Sequence, residues 1–439
     1  MPKAIAKEDG KVIIVDAVLQ PNGDQGLFDN TRLVWDLVIL AHSSGGKERT
    51  EVERKKILEE GGFPRYKLIT IPALLSIIEA CELAREMEKA ELGEEEAMLR
   101  GQAQILQYMF GLVESMAMKC VVELGIADII NSHGQPITLS EITSGIATSP
   151  SLDINCLSRI MRWLVRKRVF IEQPHPETGE SLYGLTHSSK LLLRESELSL
   201  APLILAQNHP WLLAPWHCLS KCIKEGGTAF EKTHGSEIWD FALANPEFNK
   251  LLNEAMACTS KITMKAILSA YKDGFDGVGS LVDVGGGTGT VATEIVKAHP
   301  DIRVINFDLP HVVSTAPEYP GVSHVGGDMF EAIPNADGIF MKSIMHDWCD
   351  EDCIKILKNC RKAIPKKSGK VIIVDPVLQP DGEGLFDDAG IMFDLVMVVS
   401  GGKERTEVEW KKVLEEGGFP RYKIIKTLAI QSIIEAYPM

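Results

Sequence analysis

The run Leu281-Val-Asp-Val-Gly-Gly-Gly-Thr-Gly-Thr290 limits the folds open to this chain more than any other segment. An apolar strand that breaks into closely spaced glycines lets the backbone turn tightly. Gly285, Gly287 and Gly289 carry no Cβ, so that backbone can approach a ligand to hydrogen-bonding distance. A helix starting near Thr290 then points its N-terminus at the same place. Downstream, strand-like segments at Leu281–Val284, Arg303–Phe307, just before Asp328, Gly338–Lys342 and Lys370–Val374 alternate with helical stretches. This is the βαβ rhythm of a doubly wound, Rossmann-like parallel sheet in an α/β domain. Two last strands, Tyr422–Leu428 and Ser432–Ala436, lie too close for a crossover helix and predict an antiparallel C-terminal hairpin at the sheet edge.

The chain also begins with a copy of its own end. GKVIIVD, VLQP, GLFD, GGKERTEVE, EEGGFPRYK and SIIEA occur in one order near residues 10–80 and again near 369–436. Solenoid repeats recur every 20–50 residues or so, whereas an unrelated domain separates these copies, so a repeat architecture is excluded. Each copy predicts a strand, a helix and two more strands. Residues 1–86 therefore form an extra segment, read as the tail of a preceding copy fused in frame, with Met87 resembling a natural start. The alternative is a regulatory or dimerising segment. A chain beginning at Met87 is expected to fold and retain activity. Strand swapping of the first copy with a partner, or with its own C-terminal strands, is disfavoured because the second copy is contiguous with the strands it must join.

Between the copies, helical periodicity from Leu99 to Ile130 predicts two helices, broken near Gly111 or continuous through it. Thr138-Leu-Ser-Glu141 has capping-box spacing, Leu157–Val169 is a basic amphipathic helix, and Ser181–Leu185 is a strand. Together they predict a winged-helix-like module over 87–200. Arg159, Arg162, Arg166, Lys167 and Arg168 are then either a phosphate stripe or, the favoured reading, a solvated helix face. A helical region with Trp211, Trp216 and His217 spans 201–270, ahead of the glycine-loop domain at 271–439. The net charge of −15 argues against nucleic acid and favours a small neutral or cationic substrate. Nine cysteines without CxxC spacing indicate free thiols and a cytosolic, cytoplasmic protein. Cys349 and Cys353 could share a helix face, but ordinary thiols are favoured there over a metal site. No segment is apolar enough to span a membrane.

The glycine loop admits two ligand classes. A dinucleotide fingerprint needs GxGxxG, and Thr290 stands where the third glycine belongs. About 20 residues on, Asp308 closes the second strand, where an acid can accept both ribose hydroxyls of any adenosine ligand. Asp328 and Met329 close the third strand, suited to an adenine amino group and a flat ring face. In Met341-Lys-Ser-Ile-Met-His346-Asp-Trp348 a histidine follows the fourth strand, placed for general-base work on an acceptor hydroxyl. Asp375, at the end of the fifth strand, or Glu404, in Gly401-Gly-Lys-Glu-Arg-Thr406, could hold its imidazole in one tautomer. The competing readings are a turn former for Asp375, a surface charge for Glu404 and a plain loop residue for His346.

LVDVGGGTG, INFDLPHV, GGDMF, HDW and GGKERT together resemble the S-adenosylmethionine-dependent plant O-methyltransferases of phenolic natural products. The resemblance covers Met87–Met439, with residues 10–81 similar to a second tail of the same family. GQAQILQYMFGLVESMAMKCVVELGIADIINSHG is most like the benzylisoquinoline alkaloid branch, nearest to its reticuline-methylating members. The resemblance implies that Gly285, Asp308, Asp328, Met329 and Lys342 bind S-adenosylmethionine and that His346 deprotonates the acceptor, flanked by Asp375 and Glu404. Family members often carry Glu at the Asp375 position, so the shorter side chain puts its contact with His346 in question. It further implies an N-terminal dimerisation domain that completes the partner's pocket in a homodimer, and no metal. Trp216 and Met256 fall where the family lines its acceptor pocket. Glu254, a turn or less from Met256, could pair with a protonated alkaloid nitrogen; packing or solvation is the alternative for all three.

The expected reaction is methyl transfer to a phenolic hydroxyl, of an alkaloid or alternatively of a phenylpropanoid or flavonoid. The rivals are a nicotinamide oxidoreductase, opposed by the absent third glycine, and an inactive winged-helix regulator, opposed by His346. Asp16 and Glu48 repeat the two carboxylates in the first copy, but with no glycine loop or HDW it cannot be a second site.

Overall fold

The computed structural model describes residues 11–19, 27–42, 46–61, 63, 66–69, 74–81, 93–146 and 152–439. They part into two compact units, Met1–Arg194 and Glu195–Met439. Met87, the expected natural start, lies outside the described residues.

In the first unit the repeated segment folds as β1 (Lys11–Asp16), β2 (Val18–Leu19), α1 (Leu27–His42), β3 (Arg49–Thr50), α2 (Glu51–Glu60), β4 (Tyr66–Ile69) and β5 (Ser76–Cys81). β5 lies between β1 and β4, antiparallel to both, over a small core of Val18, Leu58 and Ile78. The second helix was not expected. Its signal is a capping box: Thr50 Oγ1 accepts from Glu53 N, and Glu53 Oε2 accepts from Thr50 N at 2.9 Å.

The helical module follows: α3 (Gly93–Met109), α4 (Gly111–Glu123), α5 (Ile126–His133), β6 (Ile137–Thr138), α6 (Leu139–Gly145), α7 (Ile154–Arg166), β7 (Phe170–Pro174), β8 (Ser181–Leu185) and α8 (His187–Lys190). Three helices replace the expected two, because the chain breaks at Phe110 and again at Gly125, where φ is +65°. The predicted capping box at Thr138 and Glu141 forms, and β6, β8 and β7 make a small antiparallel sheet. α7 starts earlier than predicted, since Asp153 caps it by accepting from Cys156 N at 3.0 Å. No single helix among the described residues is long and apolar enough to cross a bilayer; α3 and α4 pass that test only as a bent pair.

The solvated-face reading of the basic stripe holds for Lys167 and Arg168, which are exposed, but not for the other three. α1 packs against α3, α4 and α7, and Arg159 is buried, donating from Nε to Asp36 Oδ2 at 3.0 Å and from Nη1 to the Gly46 carbonyl at 2.7 Å. Arg162 lies 3.7 Å from Asp36, and Arg166 Nε donates to Asn30 Oδ1 at 3.1 Å. Arg159, Arg162 and Arg166 thus hold the repeated segment onto the helical module. Arg159→Met leaves Asp36 buried without its main partner, so the first unit is expected to lose about 3–5 kcal/mol, read as a lower urea midpoint.

The second unit opens with short helices α9 (Ala201–Gln207), α10 (Pro210–Leu213), a 3-10 turn (Ala214–Cys218), α11 (Leu219–Glu225), α12 (Ala229–His234) and α13 (Ile238–Ala244), then the long α14 (Pro246–Ala270). The sheet domain follows as β9 (Ser280–Val284), α15 (Thr290–Ala298), β10 (Arg303–Asp308), α16 (Pro310–Val313), β11 (Val322–Gly326), β12 (Gly338–Lys342), α17 (Asp350–Ala363), β13 (Lys370–Leu378), α18 (Asp387–Ser400), β14 (Arg405–Thr406), α19 (Glu407–Gly417), β15 (Arg421–Ile425) and β16 (Gln431–Tyr437). Strand order is β11-β10-β9-β12-β13-β16-β15, with β9 to β13 parallel and β16 antiparallel to both neighbours. The predicted hairpin forms, with β15 at the edge and ending at Ile425 rather than Leu428.

Both sheet faces are covered, which is why the central strands are almost wholly apolar. Val282, Ile339, Met341 and Ile373 pack toward Ile356, Trp410 and Leu414, while Leu281, Phe340, Ile372 and Val374 pack toward Met264, Ile267 and Ile295. α17 opens with Asp350, Glu351 and Asp352 and closes with Arg361 and Lys362, matching its dipole at both ends.

Candidate active site

The site lies at the carboxyl ends of β9, β10 and β12. Gly285, Gly287 and Gly289 all adopt positive φ, at 67°, 57° and 89°. A Cβ on Gly285 would strike Ile344, and one on Gly286 would strike Asn306 and Asp283, so the loop tolerates only glycine there. The loop is pinned from β10: Asp308 Oδ2 accepts Gly287 N at 2.8 Å, and Asn306 Nδ2 donates to Gly287 O at 2.9 Å. The other Asp308 oxygen accepts Leu309 N at 2.7 Å. Asp328 turns the chain after β11 by accepting Phe330 N at 2.8 Å, and Met329 packs on the core below. A cavity of about 310 Å³ opens here against Phe307, Gly326, Gly327 and Asp328.

His346 sits in a 3-10 turn, Met345–Asp347, and is buried. Its Nδ1 lies 2.6 Å from Glu404 Oε1, while Asp347 Oδ1 is 3.7 Å from Nε2. Glu404 is itself held, its N–H donating to Asp394 Oδ1 at 2.7 Å. The surface-charge reading of Glu404 is thereby excluded. Phe393 lies beside the imidazole, ring centroids 5.8 Å apart. Asp375 corrects its expectation: it lies inside β13 rather than at its end, because Val377 and Leu378 go on to pair with β14. It is fully buried, and neither carboxylate oxygen has a hydrogen-bond partner among the described residues, so the tautomer is set by Glu404 alone.

Charge in this site is unbalanced. Asp283, Asp347, Asp375 and Glu404 act on Lys342 and His346. Burial alone would lower the imidazole pKa, but Asp347, Asp375 and Glu404 overcome it and raise it to about 9. Burial pushes Asp375 and Asp283 up to about 7 and Asp347 to about 6. Burial lowers Lys342, against the pull of Asp375 and Asp283; its Nζ donates to Ser343 Oγ at 3.2 Å. Ser343 holds a left-handed φ of 56°, local strain of a kind concentrated at working sites.

Several contributors were not singled out from sequence. Arg405 is fully buried and binds the His346 turn through Met345 O at 3.0 Å, Trp348 O at 2.8 Å and Asp350 Oδ1 at 3.0 Å. Lys403 N donates to His346 O at 2.8 Å. Asp283 is a lone acid in an otherwise apolar strand, which is the signal that could have found it. Asp347 adjoins the histidine in HDW.

The acceptor residues are less concentrated. Trp216 is half-buried in the 3-10 turn after α10, and Met256 is exposed on α14. Glu254 is exposed and lies 3.9 Å from Lys250 one turn earlier, a solvated pair on the helix surface. In the first copy, Arg54 occupies the position of Trp410. Its Nη2 lies 2.7 Å from Asp16 and 3.5 Å from Glu48, so an arginine neutralises the carboxylate pair that flanks the histidine in the second copy.

Sequence comparison agrees with this geometry. The profile of the O-methyltransferase domain matches residues 2–64 and 216–420, and that of the O-methyltransferase dimerisation domain matches 106–195. The chain belongs to the O-methyltransferase family. Xanthohumol 4-O-methyltransferase of Humulus lupulus is 56% identical over 80% of this chain and 100% of its own length. (R,S)-reticuline 7-O-methyltransferase of Papaver somniferum is 58% identical over 78% of this chain and 99% of its own. Human N-acetylserotonin methyltransferase, solved in complex with SAM, shares the fold with a TM-score of 0.68 at 21% identity, over 80% of this chain and 99% of that one. Whole relatives are thus accounted for by about four-fifths of this O-methyltransferase.

Removing the carboxylate on Nδ1 gives a signed test. Because the carboxylates raise the imidazole pKa, the acid limb of kcat/KM should lie above the ordinary value of about 6.5, with the rate rising as pH rises. Glu404→Gln should move that limb to lower pH; an unmoved limb in a pH–rate profile would assign it to another group.

Proposed function

We propose that the chain transfers a methyl group from S-adenosylmethionine to a phenolic hydroxyl, with His346 as the general base. The observation that carries this is the buried imidazole held at Nδ1 by Glu404 at 2.6 Å, which leaves Nε2, 3.7 Å from Asp347, as the nitrogen to take the acceptor proton. The donor suits the loop: the Gly285–Gly289 backbone gives close approach, Asp308 and Asp328 supply carboxylates for ribose and adenine, Met329 a flat apolar face and Lys342 a buried ammonium at the end of β12. Asp283 adds a buried oxygen with no partner among the described residues. When bound, S-adenosylmethionine supplies an electrophilic methyl on a positively charged sulfur, a cation that the carboxylates of the site favour and that opposes an imidazolium nearby.

His346 then takes the phenol proton at Nε2 while Glu404 stabilises the resulting imidazolium. A phenol of pKa about 10 is ionised to the extent of only about 0.1% at pH 7, so the base raises the reactive fraction where it is needed. Trp216 and Met256 line the acceptor pocket. The working form is a homodimer built on the dimerisation domain, and the acceptor is a small phenol.

Among phenols, the 58% identity to the reticuline enzyme supports an alkaloid acceptor, and the 56% identity to the xanthohumol enzyme supports a second reading, a neutral phenol. Incubation with labelled S-adenosylmethionine and a panel of both kinds, with product identification, separates them. Higher kcat/KM for the alkaloids is expected; higher kcat/KM for the neutral phenols reverses the order, and no transfer to any phenol rejects the function.

A further inference from the structure

α1 and α18 are one helix written twice. GLFD precedes or opens each, at 26–29 and 384–387, and Asp36 corresponds to Asp394. Both aspartates accept the backbone N–H of the following glutamate, Glu48 at 2.8 Å and Glu404 at 2.7 Å, so the local turn is the same. In that register Leu33, Val34 and Leu37 correspond to Ile391, Met392 and Leu395.

Their surroundings differ. Leu33, Val34 and Leu37 are 3%, 2% and 5% exposed, on a helix packed against α3, α4 and α7. Ile391, Met392 and Leu395 are 39%, 61% and 54% exposed, and Val398, one turn on, extends the same apolar face. Four large apolar side chains at i, i+1, i+4 and i+7 make a stripe that a partner normally covers. The first copy shows what covers it. α1 lays the same stripe on the helical module, with Trp35 against Phe110 at 5.4 Å and Asp36 bound by Arg159.

We propose that the exposed stripe of α18 docks on the α3, α4 and α7 surface of a second copy of this chain, and that α1 competes for that surface from within its own chain. Arg159, which grips Asp36 here, would grip the partner's matching aspartate once α1 leaves. A segment tethered to the surface it covers acts at an effective concentration in the millimolar range. The full chain should therefore dimerise at least about tenfold more weakly than one whose α1 cannot dock. The inference rests on the homodimer reading above and adds its surfaces and its competitor.

Sedimentation velocity over a concentration series tests it on the full-length chain. Leu33→Asp with Leu37→Asp, which makes α1 a poor occupant, should tighten the dimer at least tenfold. Leu395→Asp, at an exposed position that leaves the fold undisturbed, should weaken the dimer at least tenfold in either background. Equal dissociation constants for the parent and the α1 variant would overturn the competition while keeping the homodimer. No response to Leu395→Asp would overturn the docking face. A monomer at every concentration in all variants would remove the homodimer and this inference with it.

Discussion

His346→Ala is expected to lower kcat by about 10² to 10⁴, the range a positioned general base contributes, while S-adenosylmethionine binding measured by calorimetry stays within a few-fold. The two effects separate because the donor residues and the base stand on different elements. The glycine loop is held by Asp308 and Asn306 from β10, whereas His346 is held by Glu404 and its turn after β12. Cutting the side chain back leaves the loop intact and removes the imidazole from the buried cluster. Loss of donor binding in parallel with kcat would mean instead that His346 supports the fold of the site. His346→Gln should not rescue, since an amide fills the space but accepts no proton at neutral pH.

Arg405→Met is expected to have the larger effect on stability. Its guanidinium is fully buried and satisfies two carbonyls of the His346 turn together with Asp350. A methionine covers the same apolar surface, including the Trp410 ring that the guanidinium overlies at 5.5 Å, but restores none of those bonds. Each buried group left unpaired costs about 1–3 kcal/mol, and breaking a buried ion pair by removing one partner costs about 3–5 kcal/mol. A loss of about 3–5 kcal/mol in the second unit should be visible as a lower thermal midpoint. Below that midpoint kcat should still fall, by on the order of 10², because the turn that aims the imidazole is released and small misplacements are costly. An unchanged midpoint would show that the turn is fixed by packing alone. The corresponding Arg49 of the first copy has no such turn to hold and donates to the carbonyl of Lys47.

The parts of this molecule that were legible in its sequence are those whose chemistry is local. The glycines declare themselves because their φ values admit little else. Asp308, Asp328 and His346 were placed because each follows directly on an apolar strand, and strand ends in a parallel sheet face one side. The capping box at Thr138 is legible in sequence, and the same signal at Thr50 and Thr406 marks the helix that the sequence reading of each copy lacks. Sequence ends the fifth strand at Asp375, but pairing of Val377 and Leu378 with β14 carries the strand past Pro376.

What sequence could not supply were pairings across long separations. Arg159 read as a solvated residue because nothing near it in the chain says that Asp36 lies opposite. Arg405 sits next to the glutamate that was identified, yet its partners are on a turn more than fifty residues earlier. Arg54 replaces Trp410 in a block that otherwise differs only by Ile57 for Val413, and only the fold shows that this change neutralises a carboxylate pair. For Glu254 the sequence likewise hides the partner, the exposed Lys250 one turn earlier on α14.

The central claim, that His346 removes the acceptor proton, is tested most directly by comparing the parent chain with His346→Ala on two acceptors of similar shape. One is an ordinary phenol; the other is a ring-substituted phenol already ionised at the assay pH. With the ordinary phenol the alanine variant should be slower by about 10² to 10⁴, and with the ionised phenol the defect should shrink to less than about tenfold, because no proton remains to be taken. An equal defect on both acceptors would contradict the account and assign the imidazole to positioning rather than proton transfer.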